Sequence, residues 1–365
     1  MKDTCSSVPL TPLDLINTRV RNLPPYVLKN LQAEVKVNQN ESPFDFPPEL
    51  KEAVFERMRA ISWSRYPEFF PQNLIRSMAS RFGWREEGIL VGNGSNEIIL
   101  ALFLISLDRG KRLMISQPTF PLYKLIGGIL GAAIVEVPLN GDLEFDVERM
   151  GHILRHEHID VVALSSPNNP TGCQLTQAEL RRLLEGCQGL VVLDEAYCEF
   201  APVNMLALLH EFPNLVITRT FSKAAGMAGL RLGFCMGNPV LIEQASKAKL
   251  PYSVNTFSLT AAEVLFEAQD RLEENIRLLI SERKRMQTRM KAIPGVQPYD
   301  SKANFIFFRL QQSATQVFKK LLAQNVLVRD VSRYPLLQDG LRVSIGRPEE
   351  NDRFLMALEE ICTRE

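Results

Sequence analysis

The sequence carries no excess of charge of either sign, since 42 basic side chains balance 42 acidic ones over 365 residues. A chain without net charge produces no field that attracts nucleic acid or an anionic membrane, so we expect neither as a partner. Long apolar runs are also lacking, because the longest, residues 98–107, has about half the length that crosses a bilayer. Residues 1–5 begin no apolar signal segment. These absences predict a soluble, cytoplasmic protein.

Paired cysteines are lacking as well. Six cysteines lie without the close spacings of a disulfide framework or a zinc site: Cys5, Cys173, Cys187, Cys198, Cys235 and Cys362. This pattern favours reduced thiols. His152 and His156 have helical spacing and His158 follows, but no Glu or Cys ligand accompanies them in a recognised spacing. We therefore predict an exposed helix end at these histidines and no metal site.

Apolar strands that alternate with helices dominate the middle of the chain. The predicted strands cover residues 89–91, 112–116, 133–137, 161–165, 190–193 and 215–218, and helices begin near Asn96, Phe120, Val147 and Thr176. Strands that are apolar throughout are typical of a parallel sheet covered on both faces. We predict an α/β fold whose three-layer large domain has a mostly parallel sheet, with ligands at the carboxyl ends of its strands.

Other segments flank this large domain, which we assign to residues 46–258. Residues 1–45 form an irregular N-terminal arm, with a short extended piece near residue 35 followed by a turn. Residues 259–292 are predicted as one long linking helix. Apolar residues recur there every seven positions, and some of these intervals are divided into steps of four and three positions. Residues 293–365 form a smaller α/β domain with strands at 304–309, 326–329 and 341–345.

The most informative stretch is residues 220–233, in which one lysine, Lys223, lies among hydroxyls and small residues at the end of a predicted strand. Desolvation at such a place lowers the pKa of a lysine and frees its amine to form a Schiff base. A solvated lysine on a glycine-rich loop would look the same. The choice depends on what the other strand ends provide.

Those strand ends carry further polar residues. Residues 92–97 join a strand to a helix through glycine, and free amides at a helix start bind anions. Asn168 and Asn169 lie between prolines in a rigid turn, which is either a plain Asn-Pro turn or one that presents a side-chain amide. Asp194 ends a buried strand, where it either caps a helix or requires a cationic or hydrogen-bonding partner.

Three more residues have two interpretations each. Phe120 follows a strand and is either part of the core or a stacking surface for a ligand. Arg329 and Arg342 lie at strands of the small domain, and each suits either bidentate binding of a carboxylate or phosphate, or a structural ion pair.

Taken in chain order, these motifs resemble those of pyridoxal-phosphate-dependent enzymes with the aspartate aminotransferase fold, fold type I, across nearly the whole chain. Within that family the sequence is most similar to the histidinol-phosphate aminotransferases. The segments that carry this finer resemblance are residues 20–26, 38–43, 65–67, 250–255 and 328–332.

The resemblance implies a role for each matching residue. Lys223 would hold pyridoxal 5′-phosphate as a Schiff base and, once the substrate releases it, move a proton at the substrate Cα. Asp194 would pair with the pyridine nitrogen and keep it protonated. Asn169 and Tyr197 would hydrogen-bond the phenolic oxygen, and Phe120 would stack on the ring. Lys223, Asp194 and Tyr197 are therefore the expected catalytic residues.

The resemblance also implies two anion sites. The cofactor phosphate would be held by Ser95, Asn96, Thr220, Ser222 and Arg231, with Tyr66 reaching it from the neighbouring subunit of a homodimer. The substrate would be bound by Arg342, with Arg329, Asn40 and Tyr66 as helpers. The sequence departs from the common family pattern at Phe120, Asn96, Ala225 and Arg347, and Arg347 bears on substrate preference.

The implied reaction is exchange of an amino group between L-glutamate/2-oxoglutarate and L-histidinol phosphate/imidazole-acetol phosphate in histidine biosynthesis. Two alternatives have the same fold: an aromatic amino-acid aminotransferase and threonine-phosphate decarboxylase. A third is a regulator that uses the fold as a ligand sensor. Such regulators usually have a DNA-binding module ahead of the fold, for which residues 1–45 leave no room.

Overall fold

The computed structural model describes residues 11–23, 31–268 and 272–363. Positions 24–26, which belong to one of the segments behind the finer resemblance, lie outside the described residues, as does Cys5. The chain enters the fold through helix α1, Thr18–Arg21, strand β1, Val35–Lys36, and helices α2, Pro48–Ala60, and α3, Gln72–Phe82. Helix α3 ends at Phe82, and its C-cap, Gly83, has a φ of 63°, which favours glycine.

In the part of the chain that the structure describes, seven strands form the large sheet. They are β2, Ile89–Gly92; β3, Arg112–Gln117; β4, Ala133–Pro138; β5, Val161–Ser165; β6, Leu190–Asp194; β7, Leu215–Thr220; and β8, Gly233–Gly237. Their spatial order is β2-β8-β7-β6-β5-β3-β4. Only β8 runs antiparallel to its neighbours, β2 and β7, within this described sheet. The prediction of a mostly parallel sheet is confirmed, although the sequence pattern did not reveal β8.

Both faces of the sheet are buried. Leu193 and Ile217 pack into one apolar core, and the alternate residues Val192 and Val216 pack into the core of the opposite face. Helices cover both faces, with α4, Ser95–Leu104; α5, Leu122–Leu130; α6, Val147–His156; α7, Gln177–Gly186; and α8, Pro239–Ala248. The predicted three-layer arrangement is confirmed.

The predicted long helix at 259–292 is wrong, because the structure has two helices there, α9, Thr256–Glu267, and α10, Glu273–Lys291. Ala268 leaves the helical conformation, with φ −134° and ψ 40°. The physical reason is that the two helices pack into different apolar cores. Leu265 packs in the core of the large sheet, whereas Leu279 packs with the C-terminal strands. The apolar spacing continues across the break and concealed it.

The C-terminal part forms a second α/β unit. Its elements are β9, Val296–Pro298; β10, Phe305–Leu310; α11, Ala314–Ala323; β11, Val326–Leu327; β12, Arg329–Asp330; β13, Gly340–Ser344; and α12, Pro348–Thr363. The order β12-β13-β10-β9 forms an antiparallel sheet. The single strand predicted at 326–329 is wrong, because Val328 separates two short strands that belong to different sheets: β11 pairs with β1 of the arm.

The pairing of β1 with β11 attaches the N-terminal arm to the C-terminal unit, as Val37 N also donates to Leu327 O at 3.0 Å. The division at residues 45, 258 and 292 stays our proposal for the domains. No helix among the described ranges is long and apolar enough to cross a membrane.

Candidate active site

The polar residues of the candidate site gather at the carboxyl ends of the parallel strands. Ser165 of β5 pairs with Asp194 of β6, and Asp194 pairs with Thr218 of β7. Lys223 follows the end of β7 by three residues. Parallel strands end at the same edge of a sheet, so the sheet itself brings these side chains together.

Lys223 lies partly buried against the N-terminal arm. Its Nζ donates a hydrogen bond to the Gln39 carbonyl at 3.1 Å and lies 5.7 Å from the centre of the Tyr197 ring. Burial, followed by the positive charge of Arg342, lowers the pKa of Lys223 to about 8. A substantial fraction of this amine is therefore neutral, and able to attack a carbonyl, near physiological pH.

Asp194 is 5% exposed and is surrounded by hydrogen-bond donors. Its Oδ1 accepts from the Ala196 amide at 3.1 Å and from Thr218 Oγ1 at 3.3 Å, and its Oδ2 accepts from the Tyr123 hydroxyl at 2.7 Å. Burial raises the pKa of Asp194, and these three hydrogen bonds oppose that shift. A cation brought to the carboxylate would remove much of the cost of burying its charge.

The two neighbouring asparagines have different surroundings. Asn168 is fully buried; its Oδ1 accepts from Thr119, and its Nδ2 donates to the Pro118 carbonyl and to Thr171. Asn169 is half-buried, and its Oδ1 accepts from Arg342 Nη1 at 2.5 Å. Asn168 therefore maintains the turn, whereas Asn169 contacts Arg342, and the role that the resemblance implies for Asn169 stays a prediction.

Tyr197 is held by the N-terminal arm. Its hydroxyl accepts a hydrogen bond from Asn40 Nδ2 at 3.0 Å, and burial raises its pKa. Asn40 is 1% exposed, and its Oδ1 accepts from Ser344 Oγ of β13 at 2.9 Å. Asn304 Nδ2 donates to the Asn40 carbonyl at 3.1 Å. Asn40 thus joins the arm to both the tyrosine and the C-terminal unit.

A candidate anion site lies where helix α4 begins. No side chain caps this end of the helix, and the Gly94 backbone has φ 79°. A Cβ added at Gly94 would lie 2.9 Å from Arg231 Nη2, so the arginine is directly beside the helix start. Arg231 Nη1 donates to Ser222 Oγ at 3.2 Å, and Thr220 Oγ1 accepts from the Ser222 amide at 3.1 Å.

Close approach of the backbone brings these groups together. A Cβ added at Gly233 of β8 would lie 2.3 Å from the Ser95 amide nitrogen, so glycine is required for β8 to pass the helix start. Of the residues predicted for the phosphate, Ser95, Thr220 and Ser222 are therefore gathered around Arg231. Asn96, the second residue of α4, is exposed.

Arg342 occupies the other end of the site. Its Nη2 donates to the Asn38 carbonyl at 2.8 Å, and its guanidinium lies 5.2 Å from the centre of the Phe305 ring. Arg329 of β12 pairs directly with Arg342 across the sheet. Arg347, by contrast, donates to the Pro43 carbonyl and covers the Phe44 ring at 5.7 Å, so it fixes the arm from outside this cluster.

Two aromatic predictions have different placements. Phe120 is half-buried beside the site, with its ring edge-on to Tyr123 at 5.7 Å between centroids. Tyr66 is 81% exposed and stacks on Tyr252 at 4.7 Å, outside the cluster around Lys223 in its own chain. A reach from the neighbouring subunit stays a prediction.

Sequence reasoning missed several residues of the site. Tyr123 donates to Asp194, and the one available signal was its position three residues after Phe120, near the same strand end. The carbonyls of Asn38 and Gln39 accept from Arg342 and Lys223, respectively. Every residue has a backbone carbonyl, so the sequence cannot indicate which ones act as acceptors. The clustered histidines are exposed at the end of α6, as predicted.

The arrangement fits one class of ligand. It has an uncapped helix start beside Arg231 for a phosphate, a buried carboxylate whose hydrogen-bond donors among the described residues include no cation, and an amine of lowered pKa. These three groups suit a pyridine that carries a phosphate and an aldehyde, as pyridoxal 5′-phosphate does. The fold and the site together define a fold type I, amino-group-handling enzyme.

The model of the family "Aminotransferase class I and II" matches residues 33–358, and the chain belongs to that family. The histidinol-phosphate aminotransferase of Chlorobaculum tepidum is 37% identical over 349 residues, which is 95% of this chain and 100% of that protein. The predicted family is thereby confirmed.

Two solved structures are also similar to this chain. Histidinol-phosphate aminotransferase from Sinorhizobium meliloti, in complex with pyridoxal-5′-phosphate, has a TM-score of 0.85 at 24% identity and covers 95% of this chain and 97% of its own. L-threonine-O-3-phosphate decarboxylase from Porphyromonas gingivalis has a TM-score of 0.77 at 26% identity, covering 90% of this chain and 99% of its own. The predicted fold class is confirmed.

Proposed function

We propose that this protein is a pyridoxal-phosphate-dependent aminotransferase that exchanges an amino group between L-glutamate/2-oxoglutarate and L-histidinol phosphate/imidazole-acetol phosphate, in histidine biosynthesis. The observation that carries the chemistry is the Lys223 amine, whose pKa of about 8 results from burial and from Arg342. The substrate assignment is supported by the 37% identity to a histidinol-phosphate aminotransferase over 95% of the chain.

Each residue has a distinct task in this proposal. When bound, pyridoxal 5′-phosphate supplies an aldehyde that takes up amino groups and a ring that accepts electrons from the substrate Cα. Lys223 would hold the cofactor through its Nζ, and its amine, once free, would move a proton at the substrate Cα. Asp194 holds the proton on the ring nitrogen, because the buried carboxylate is stabilised by a cation.

The remaining residues position the two ligands. Ser95, Thr220, Ser222 and Arg231 hold the cofactor phosphate, Asn169 and Tyr197 donate to its phenolic oxygen, and Phe120 covers its ring. Arg342 binds the anionic end of each substrate in turn, with Arg329 beside it in the sheet. One arginine that serves both substrates suits a ping-pong reaction in which they occupy the same site successively.

Arg342 provides a first test of this assignment. Arg342→Ala should raise KM for both L-glutamate and histidinol phosphate by about 30- to 100-fold, because a charged, bidentate hydrogen bond is lost from each. Arg342→Lys keeps the charge and should recover only part of this loss. A rise in KM for one substrate alone would mean that the other anion binds elsewhere.

Threonine-phosphate decarboxylase is the second candidate, supported by the similarity to the Porphyromonas gingivalis enzyme. An aromatic amino-acid aminotransferase is the third, because an arginine and an aromatic surface also accept a ring and a carboxylate. The deciding experiment offers histidinol phosphate, phenylalanine, tyrosine and threonine phosphate in competition. Transfer from histidinol phosphate to 2-oxoglutarate should dominate, whereas release of CO₂ from threonine phosphate would overturn the proposal.

The covalent chemistry has its own test. Borohydride treatment of the protein loaded with pyridoxal 5′-phosphate should fix the cofactor on Lys223, read out by peptide mass spectrometry. Lys223→Ala should abolish transfer while the protein still folds. Label on a different lysine would contradict the assignment of the site.

We also propose that the enzyme is a cytoplasmic homodimer. Large aromatic side chains are exposed within residues 55–70 and at Tyr252, which stacks on Tyr66: Phe55 is 45% exposed, Trp63 80%, Tyr66 81%, Phe70 42% and Tyr252 46%. Such aromatic side chains are enriched where protein surfaces are covered by a partner. A second copy of this chain would cover them and bring Tyr66 towards its neighbour's phosphate site.

A further inference from the structure

Tyr123 is a buried residue to which the sequence motifs gave no role, and it makes one specific polar contact. It lies in the first turn of α5 with 0% exposure, and its hydroxyl donates to Asp194 Oδ2 at 2.7 Å. Phe120 packs edge-on against its ring. A buried tyrosine usually finds a partner for its hydroxyl, but here the partner is the carboxylate that the proposed chemistry requires.

The hydrogen bonds of Asp194 show which oxygen remains available. A carboxylate has about four acceptor positions, two on each oxygen. Two donors, the Ala196 amide and the Thr218 hydroxyl, occupy Oδ1. Among the described contacts Oδ2 has one donor, Tyr123, which leaves room for one more. A protonated ring nitrogen would therefore share Oδ2 with Tyr123.

We propose that Tyr123 is a positioning residue that holds Asp194 in its anionic form and directs the free acceptor position of Oδ2 towards the cofactor's ring nitrogen. This inference rests on the proposed function. It assigns Tyr123 no contact with substrate or with reacting atoms, because it acts through Asp194 alone.

The surroundings of Asp194 explain why such a donor is needed. The ionisable groups that influence it include Tyr123, Tyr197, Glu195 and Lys223. Burial and the charge of Glu195 both favour a protonated Asp194, and the hydrogen bond from Tyr123 opposes them. Burial and the neighbouring Asp194 carboxylate raise the pKa of Tyr123 well above that of a free tyrosine, which favours the protonated hydroxyl that donates.

The test removes only the hydroxyl, with Tyr123→Phe. Tyr299→Phe is the matched control, because Tyr299 is half-buried, packs on Phe307 and lies in the C-terminal unit. Tyr123→Phe should weaken binding of pyridoxal 5′-phosphate to the cofactor-free protein by about ten- to a hundredfold, which corresponds to a lost hydrogen bond to a charged group. Tyr299→Phe should leave this dissociation constant unchanged.

A cofactor analogue separates positioning from packing. In deazapyridoxal 5′-phosphate a carbon atom replaces the ring nitrogen, so this analogue cannot use the oxygen that Tyr123 directs. Tyr123→Phe should therefore bind the analogue within about threefold of the unmutated protein's affinity, a difference too small for a hydrogen bond to a charged group. An equal loss with both compounds would overturn the proposal, because the hydroxyl would then act through packing alone.

A second variant guards against misfolding. If Tyr123→Phe lowers the Tm of the cofactor-free protein more than Tyr299→Phe does, a fluorinated tyrosine is incorporated at position 123 instead. This stronger donor should tighten binding of pyridoxal 5′-phosphate and leave binding of the analogue unchanged, and an unaltered affinity for both would overturn the proposal. If borohydride fixes no cofactor on Lys223 of the unmutated protein, the proposed function itself has failed.

Discussion

Asn40 Nδ2 donates a hydrogen bond to the Tyr197 hydroxyl at 3.0 Å, and this contact does not use the tyrosine's own hydroxyl proton. An amide nitrogen is solely a donor, so the Tyr197 oxygen must accept from it. The amide orientation is consistent, because Asn40 Oδ1 accepts from Ser344. The Tyr197 proton is then available to donate to the site, which is what a tyrosine that holds a phenolic oxygen requires.

Replacement of Asn40 should therefore weaken cofactor binding. Asn40→Gly removes the donor to Tyr197 and suits the backbone, whose φ is 55°. We expect about a tenfold higher Kd for pyridoxal 5′-phosphate, measured by equilibrium dialysis. Asn40→Ala should bind equally weakly and also lose about 1 kcal/mol of unfolding free energy, because alanine resists positive φ. Unchanged affinity in Asn40→Gly would contradict the role of the donor.

The reactivity of Lys223 should depend on pH in a defined way. Its pKa of about 8 lies below the ordinary lysine value of 10.5, so half of the amine is already neutral near pH 8. Labelling by an amine reagent, followed at the Lys223 peptide of the cofactor-free protein, should therefore have its midpoint near pH 8. Arg342→Ala removes a neighbouring positive charge and should move this midpoint upward.

Exposed Lys291 provides an internal control for that labelling experiment, because it lies at the end of α10, away from the site. A downward shift of the Lys223 midpoint in Arg342→Ala would disprove the electrostatic coupling between the two cations.

The buried ion pair behind the site should matter for stability. Arg219 donates to Glu195 Oε2 through Nη2 at 2.6 Å and Nε at 3.0 Å, and the exposures of the two side chains are 8% and 1%. Arg219→Met should destabilise the protein by about 3–5 kcal/mol in urea unfolding, because it leaves the Glu195 charge buried without its cation. Adding Glu195→Gln should recover part of this loss.

Arg182→Met is the control for that prediction, since the pair formed by Arg182 and Glu148 is exposed. Its cost should be below about 1 kcal/mol. Equal costs for Arg182→Met and Arg219→Met would show that burial does not determine the contribution of Arg219.

The proposed contribution of Tyr66 across a dimer interface can be tested with hybrid dimers. Lys223→Ala chains and Tyr66→Ala chains are each expected to have little activity. Purified hybrids of the two should regain about half the activity of an unmutated dimer, because one of the two sites then has an intact Lys223 and a neighbour's intact Tyr66. If mixing restores nothing, although hybrids form, Tyr66 does not act across the interface.

Much of this architecture could be predicted because it depends on local patterns. Uniformly apolar strands revealed the parallel sheet, and strand-end motifs singled out Lys223, Asp194 and the Asn168–Asn169 turn, whose roles stay predictions. The antiparallel direction of β8 was not predictable in this way. The five buried residues Gly233–Gly237 have no pattern that distinguishes a parallel strand from an antiparallel one. The break between α9 and α10 was hidden because both helices keep the same apolar spacing on different cores.

Other features depend on tertiary contacts that no local pattern contains. Adjacent identical residues, Asn168 and Asn169, could be assigned separate roles only through a resemblance, since their difference lies in which neighbours each one meets. Tyr123 received no interpretation from the sequence, because its contact with Asp194 joins residues that lie 71 positions apart.

The hydrogen bonds between Asn40 and the C-terminal unit have a consequence for synthesis of the protein. Asn40 contacts Asn304 and Ser344, which lie 264 and 304 positions further along the chain. A growing polypeptide therefore carries Asn40 out of the ribosome long before either partner exists. These contacts can form only after Ser344 has been synthesised, and a chain that stops before residue 304 contains Lys223 but lacks the contacts that join its N-terminal arm to the C-terminal unit.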